Sequence, residues 1–331
     1  MKALVTLIFT FGLFCGSGFA KESEAEAPDP GKFEEYKTMA VKGDAQAQHY
    51  LGNCYHNGTG VEKDDAEAVN WYRKAATQGY AQAQSNLGAC YLNGTVVEKD
   101  EAEAVKWWRK AATQGIADAQ FKLGVCYRKG TGVKKDGVEA VKWYRKAAIQ
   151  GFAEAQYNLG LCYHKGTGAE KDAVEAVKWF RSAAEQGYVA AQYNLGFCYN
   201  SGTGVKKDDA DAVKWYRKAG EQGLANAQSS LGLSYHKGIG VEKDDAEAVK
   251  WYRKAAEQGY DEATVILAEM CEDGQGMEIN LAEAYGWYAL SSKKHRCESL
   301  KSIMSKQQLE EGKNRAKALQ EQINARMKNG K

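Results

Sequence analysis

The sequence predicts an all-α solenoid of seven stacked helix pairs, closed by a capping segment at each end. Three observations carry this reading. Glycines fall 36 residues apart at Gly43, Gly79, Gly115, Gly151, Gly187, Gly223 and Gly259, and tryptophans keep the same period from Trp71 to Trp287. A fixed period of this size belongs to solenoids, in which each unit buries its apolar face on its neighbours. Only 2 prolines occur in 331 residues, and Ala, Lys, Glu and Gln abound, which favours helix. Within each unit apolar residues recur at helical spacing twice, with a glycine-rich break between the two runs.

The elements follow in order. Lys2 precedes an apolar run from Ala3 to Phe14, and Gly18-Phe19-Ala20 places small residues where a signal peptidase reads. Residues 1–20 are read as a secretory signal, the apolar run being too short for a membrane anchor. A lipid-modified Cys15 is disfavoured by bulky Phe14. Residues 21–30 are acidic and end in proline, as in a flexible leader. Residues 31–44 look like half a unit, because Tyr36, Ala40 and Gly43 align with Tyr72, Ala76 and Gly79. They are expected to form an N-terminal capping helix over the open apolar end.

Seven units then span residues 45–292, starting at Ala45, Ala81, Ala117, Ala153, Val189, Ala225 and Asp261. In the first helix of a unit, Ala47, Leu51, Cys54 and Tyr55 share a face; in the second, Ala68, Trp71, Tyr72, Ala75 and Ala76 do. Between them, Gly58-Thr59-Gly60 ends one helix, and Asp64 or Asp65 caps the next. A glycine inside the first helix, Gly52 and its equivalents, costs about 1 kcal/mol relative to alanine. Its recurrence implies close backbone approach by a neighbouring aromatic. Residues 293–331 leave the period. They carry eleven basic and four acidic residues, and are read as one or two C-terminal capping helices, fraying near Met327.

The units, for example 155–163 (Ala-Gln-Tyr-Asn-Leu-Gly-Leu-Cys-Tyr), 166–168 (Gly-Thr-Gly) and 176–187, closely resemble the Sel1-like repeat family over residues 45–292. The segment Met304 to Leu309 also looks like the cap that ends such arrays. The tetratricopeptide repeat is the nearest alternative, but its unit is shorter and its closing proline is missing here. The resemblance implies a superhelix of antiparallel helix pairs and a role as adaptor or scaffold in signalling, secretion or envelope processes. Two departures matter. The Cys54 column commonly holds methionine in the family. Cysteine-rich exported relatives place their paired cysteines where this chain has residues such as Ala76 and Gln84. Their disulfide pattern, and their reported β-lactam chemistry, therefore do not carry over.

Candidate chemistry is sparse. Cys54, Cys90, Cys126, Cys162 and Cys198 lie one period apart. Equivalent residues of stacked helices are about 8–10 Å apart, beyond the roughly 7 Å Cα reach of a disulfide. The column reads as buried apolar core. Cys271 and Cys297 stand outside it and are candidates for a disulfide. His56, His164 and His236 share a column, but two or three units separate them, too far for one metal site. They read as solvated or ligand-facing. Ser234/Lys237 and Ser291/Lys294 match Ser-x-x-Lys, but no companion hydrolase motif follows. The sequence calls for no cofactor and no metal.

Positions 49 and 53 vary between units, so packing does not dictate them. In units 3 to 5 they become Phe121/Val125, Tyr157/Leu161 and Tyr193/Phe197, an apolar stripe that either lines a groove and holds a partner or packs against a neighbouring helix. Truncating Tyr157 and Tyr193 is expected to weaken binding with little change in melting. Arg128, Lys129, His164 and Lys165 are the charged candidates beside the stripe. Unit 3 carries eight basic and three acidic residues, and unit 7 seven acidic and none basic. With 45 basic against 43 acidic residues overall, no field for nucleic acid arises, and no stable membrane insertion is expected. The leading reading is a monomeric, exported scaffold, periplasmic or secreted, that binds a protein or extended peptide. The alternative is an envelope hydrolase or binder of cell-wall fragments. The two separate on catalysis, for which the sequence offers no convincing nucleophile.

Overall fold

The computed structural model describes residues 28–329, so the segment read as a signal and all but the end of the leader lie outside the described residues. Helix is the only regular secondary structure among the described residues. A single 3-10 turn, Pro30–Lys32, leads into α1 (Phe33–Val41). The first helices of the seven units are α2 (Ala45–Asn57), α4 (Ala81–Asn93), α6 (Ala117–Lys129), α8 (Ala153–Lys165), α10 (Val189–Ser201), α12 (Ala225–Lys237) and α14 (Asp261–Asp273). The second helices are α3 (Asp65–Thr77), α5 (Glu101–Thr113), α7 (Gly137–Ile149), α9 (Ala173–Glu185), α11 (Asp209–Glu221), α13 (Asp245–Ala256) and α15 (Leu281–Leu290). After these come α16 (Arg296–Lys301) and α17 (Lys306–Asn329), and α17 lies along α15.

Each boundary has a local cause. The first helices end on a left-handed glycine, Gly58 in unit 1 (φ 70°) and its equivalents through Gly274, where a side chain would be strained. The second helices start on an aspartate whose carboxylate accepts from the first turn: Asp64 takes Ala66 and Glu67 N–H groups. Asn280 does the same for α15. These bonds satisfy backbone donors that the helix itself leaves open.

The glycine inside the first helix of units 1 to 6, replaced by Ala268 in unit 7, has the packing reason its recurrence implied. A Cβ on Gly124 would sit 2.7 Å from the ring of Tyr144, and one on Gly160 2.7 Å from Phe180. In these units the second helix lays an aromatic ring flat against the first helix's backbone. Leu51, Leu87, Leu123, Leu159, Leu195 and Leu231 beside it are fully buried.

A second periodic device is polar. Gln120 is buried; its amide donates to the Ala112 carbonyl at 3.0 Å, and its own oxygen accepts from Gln150 at 2.8 Å. The same pair of bonds recurs from Gln48/Gln78 through Gln228/Gln258. Each glutamine thus ties a first helix to the end of the previous second helix and to the end of its own. A buried amide is tolerable only when satisfied in this way.

Candidate functional site

The face presented by the first helices is built from columns 49, 50 and 53 of each unit, and side chains there meet across units. Asn86 donates to Asn53 at 3.2 Å and Asn194 to the Tyr157 hydroxyl at 3.4 Å, and Ser85 reaches Asp118, in column 46 of the next unit, at 2.9 Å. Consecutive first helices therefore form one continuous surface.

The stripe residues sit deeper in it than the sequence suggested. The Phe121 ring centroid is 5.9 Å from that of Tyr144 and 5.3 Å from that of Phe152. Tyr157 lies 5.9 Å from Phe180 and 5.1 Å from Tyr188; Tyr193 lies 5.7 Å from Tyr216. Each ring is half-buried, and burial raises the hydroxyl pKa of Tyr157 and Tyr193. In column 53 Val125 and Phe197 are half-buried, Leu161 is buried, and Leu233, next in line, is 43% exposed. The sequence reading had overlooked Leu233; its place in column 53 was the available signal.

This packing corrects the expectation that the aromatics are dispensable for stability. Tyr157→Ala with Tyr193→Ala strips rings that stack on buried neighbours. About 1–3 kcal/mol per site is the expected cost, below the 3–5 of a fully buried aromatic. Urea denaturation measures it, and an unchanged midpoint would contradict the packing described.

The charged candidates divide. Arg128 Nε donates to the Tyr144 hydroxyl at 3.1 Å, while Lys129 and Lys165 are exposed. The histidine column is structural in two units: His56 Nδ1 pairs with Asp65 and His236 Nδ1 with Asp245, both at 2.7 Å. These bonds clamp the end of a first helix to the start of its second. Both histidines thus have a structural partner; His236 is largely covered, while the His56 side chain keeps 35% of its exposure. In unit 4 the aspartate is Ala173, which leaves His164 Nδ1 buried and without a partner beside the Phe180 ring. Burial and two nearby lysines, Lys171 and Lys165, lower its pKa.

His49 is the most enclosed titratable group of this face. Its Nε2 faces the amides of Asn86 (3.2 Å) and Asn53 (3.5 Å), so Nε2 accepts and the ring is neutral. Burial pushes its pKa down to about 4, against about 6.5 when unfolded. Between these values the unfolded chain holds a proton that the folded chain lacks, so stability falls as pH falls from 6.5 towards 4. The loss by pH 4 is about 3 kcal/mol from this group alone. His49→Phe, matching Phe121, is expected to flatten that limb in denaturation curves taken across the window.

The thiols are unreactive in place. Cys126, Cys162 and Cys198 are buried and Cys90 half-buried, and burial pushes each up to about 11. A thiol so raised holds almost no thiolate at neutral pH. Cys271 and Cys297 are both free: the Cys271 sulfur faces the Met277 sulfur at 3.6 Å, and Cys297 faces the Tyr285 carbonyl at 3.7 Å. The pairing considered from sequence is not formed: Cys271 on α14 and Cys297 on α16 each face a different neighbour. The Ser-x-x-Lys serines are likewise committed. Ser234 donates to the Ser230 carbonyl, and Ser291, 2% exposed, to that of Tyr288.

The acidity of unit 7 also resolves into structure. Lys293 pairs with Glu269 and Arg296 with Glu272, each at 2.6 Å. Glu283 accepts from Arg315 Nε at 2.6 Å, from Arg253 at 2.9 Å and from the Trp287 indole at 2.9 Å. Burial alone would raise the Glu283 carboxyl; Arg315 and Arg253 outweigh it and hold the pKa below the ordinary value. Among the described residues no grouping of His, Cys, Asp and Glu could hold a metal, and no helix is long and apolar enough to cross a membrane.

Stacked helix pairs with glycine-stopped first helices and a continuous first-helix face define an α-solenoid, a class built for contact along its length. The chain belongs to the Sel1 repeat family: the Sel1 repeat pattern matches seven times in register, at 45–80, 81–116, 117–152, 153–188, 189–224, 225–260 and 261–295. Such repeats typically mediate protein–protein interactions. Two solved structures are similar. One is c5321, a protective antigen present in uropathogenic Escherichia coli strains. It is 34% identical over 89% of this chain and 72% of its own, with a TM-score of 0.67. The other is a Sel1 repeat protein from Oxalobacter formigenes, 37% identical over 73% of this chain and 96% of its own, with a TM-score of 0.64. No curated protein of known role matches the chain.

Proposed function

We propose that the protein is an exported, monomeric scaffold that binds a partner protein or extended peptide along its first-helix face. The observation that carries this is column 53. It runs Ala89, Val125, Leu161, Phe197, Leu233 over consecutive units, while Asn53 and Glu269 occupy it at the ends. The fold thus accepts polar residues there, yet five adjacent units are apolar and one of them leaves a leucine 43% exposed. An apolar run of this kind that ends in an exposed leucine is the usual mark of a contact surface. The export half rests on Lys2, the apolar run 3–14 and Gly18-Phe19-Ala20. Likeness to a chain described as a protective antigen accords with it, as does a thiol set kept inert by burial.

The reading as an adaptor is favoured over a hydrolase because both candidate serines spend their hydroxyl protons on backbone carbonyls. The test compares the full chain with a Phe197→Glu/Leu233→Glu variant. Each is used to capture proteins from the producing cell's own envelope extract, followed by mass spectrometry. A protein retained by the first and lost by the second, with unchanged circular dichroism, supports the proposal; equal retention sinks it. Amino-terminal sequencing of the protein from the same cells should begin at Lys21 if the chain is exported.

A further inference from the structure

A cavity of about 610 Å³ opens where α5 of unit 2 meets the loop of unit 3. It uses none of the first-helix residues described above. Ala102, Val105 and Val133 give it an apolar lining, and Lys106, Arg109 and Lys110 stand on the same lining. Two of these cations are fixed by contacts of their own. Arg109 donates to the Tyr127 hydroxyl at 2.8 Å, and Lys110 Nζ lies 4.0 Å from the Trp107 ring centroid. Three acids are close, and each is engaged: Glu103 pairs with Lys106 across an exposed 2.8 Å contact and Glu101 with Lys99 at 3.0 Å, exposed interactions of little net strength, while Asp100 caps α5.

The repeat itself shows what is particular to this junction. The residue after Val133 is Lys134, and the equivalent in other loops is Glu62, Glu98, Glu170, Glu242 or Glu278. Unit 5 also has a lysine there, Lys206, but Ser182 then replaces the lysine equivalent to Lys110. Asn70 breaks the set in unit 1. The full Lys-Arg-Lys set therefore meets a basic loop at this junction and at no other in the sequence. Unit 3 cannot neutralise it. Asp118 pairs with Lys122, Glu139 pairs with Lys142, and Asp136 caps α7.

We propose that this junction is a second docking site, for an acidic peptide segment of a partner that also carries apolar side chains. The carboxylates match a guanidinium already fixed on one side by Tyr127, which leaves its remaining donors for a planar anion. The apolar lining accepts the short side chains between them. A polyanionic duplex would need a longer basic track than one junction offers.

The test uses a fluorescein-labelled heptapeptide of alternating glutamate and leucine, read by anisotropy against the full chain at low and physiological ionic strength. The alternating lysine–leucine peptide is the control. Binding of the acidic peptide alone is expected, weakening with salt. Lys134→Glu gives the loop the residue that five other units carry, so the fold tolerates it; it should weaken binding by about tenfold or more, since an attractive charge becomes a repulsive one. Glu170→Lys should do the reverse, building a second site beside Lys142, Arg145 and Lys146 and raising the stoichiometry from one peptide to two. Equal binding of both peptides, or no effect of either substitution, would overturn the proposal. So would capture of anionic phospholipid vesicles with the acidic peptide left unbound.

Discussion

Glu283→Ala is expected to cost about 1–3 kcal/mol and to release α17 from α15, because it leaves two arginines and an indole without their shared acceptor in a partly buried site. Glu283 is only 13% exposed at its side chain and holds Arg315 through two bonds and Arg253 through a third. It is the joint between the last unit and the non-repeating cap. Removing the acceptor is worse than never having it, since the Trp287 indole loses its partner and two guanidiniums, each about a third exposed, lose their shared carboxylate. Hydrogen exchange would show the effect as loss of protection across residues 306–329 before the earlier units change. Unaltered protection there would mean that the apolar contacts of Leu319 and Ile323 hold the cap alone.

The second large effect is expected at Gly168. This glycine has φ +74°, and a Cβ on it would sit 1.9 Å from the carbonyl oxygen of Gly137 in the preceding unit. Backbone meets backbone there, so no side chain can swing aside. Gly168→Ala should cost about 1–3 kcal/mol from overpacking, and about 1–2 kcal/mol more from the left-handed conformation. The chain contains the natural counterpart. In unit 2 this position is Val96, the one non-glycine residue at positive φ among the described residues (φ 62°), and its side chain is 58% exposed. A β-branched residue is poorly suited to that conformation. Val96→Gly should therefore stabilise the junction of units 1 and 2 by about 1 kcal/mol or more, measured as a shift in the urea midpoint. A destabilised Val96→Gly would contradict the account of the loop.

The helices, their stops and the interior glycines were legible because each unit solves one packing problem, and the solution is written seven times. Gly52 and its copies announced a close approach, and Tyr72, Tyr144 and Phe180 supply it. What periodicity could not reveal lay between columns or outside the period. The role of His56 and His236 depended on an aspartate nine residues on, a spacing that no helical face displays. The glutamine network was visible as Gln48 and Gln78 at constant phase, but amide pairing across thirty residues needs the fold. The acidity of unit 7 looked like a surface property and proved to be the seat of a basic cap with no repeat phase of its own. At the stripe, spacing placed Phe121, Tyr157 and Tyr193 on one face. Their depth depended on partner rings such as Phe152 and Tyr188 at the far end of their own units, which only tertiary packing brings beside them.

The central claim is that the first-helix face, at column 53, receives the partner. Site-specific photo-crosslinking in the producing cell tests it most directly, with benzoylphenylalanine at position 197 or 233, and at Val174 on α9 as an exposed apolar control. The account predicts one and the same crosslinked protein from positions 197 and 233 and none from 174. Crosslinks from 174 alone, or the same product from all three positions, would contradict it.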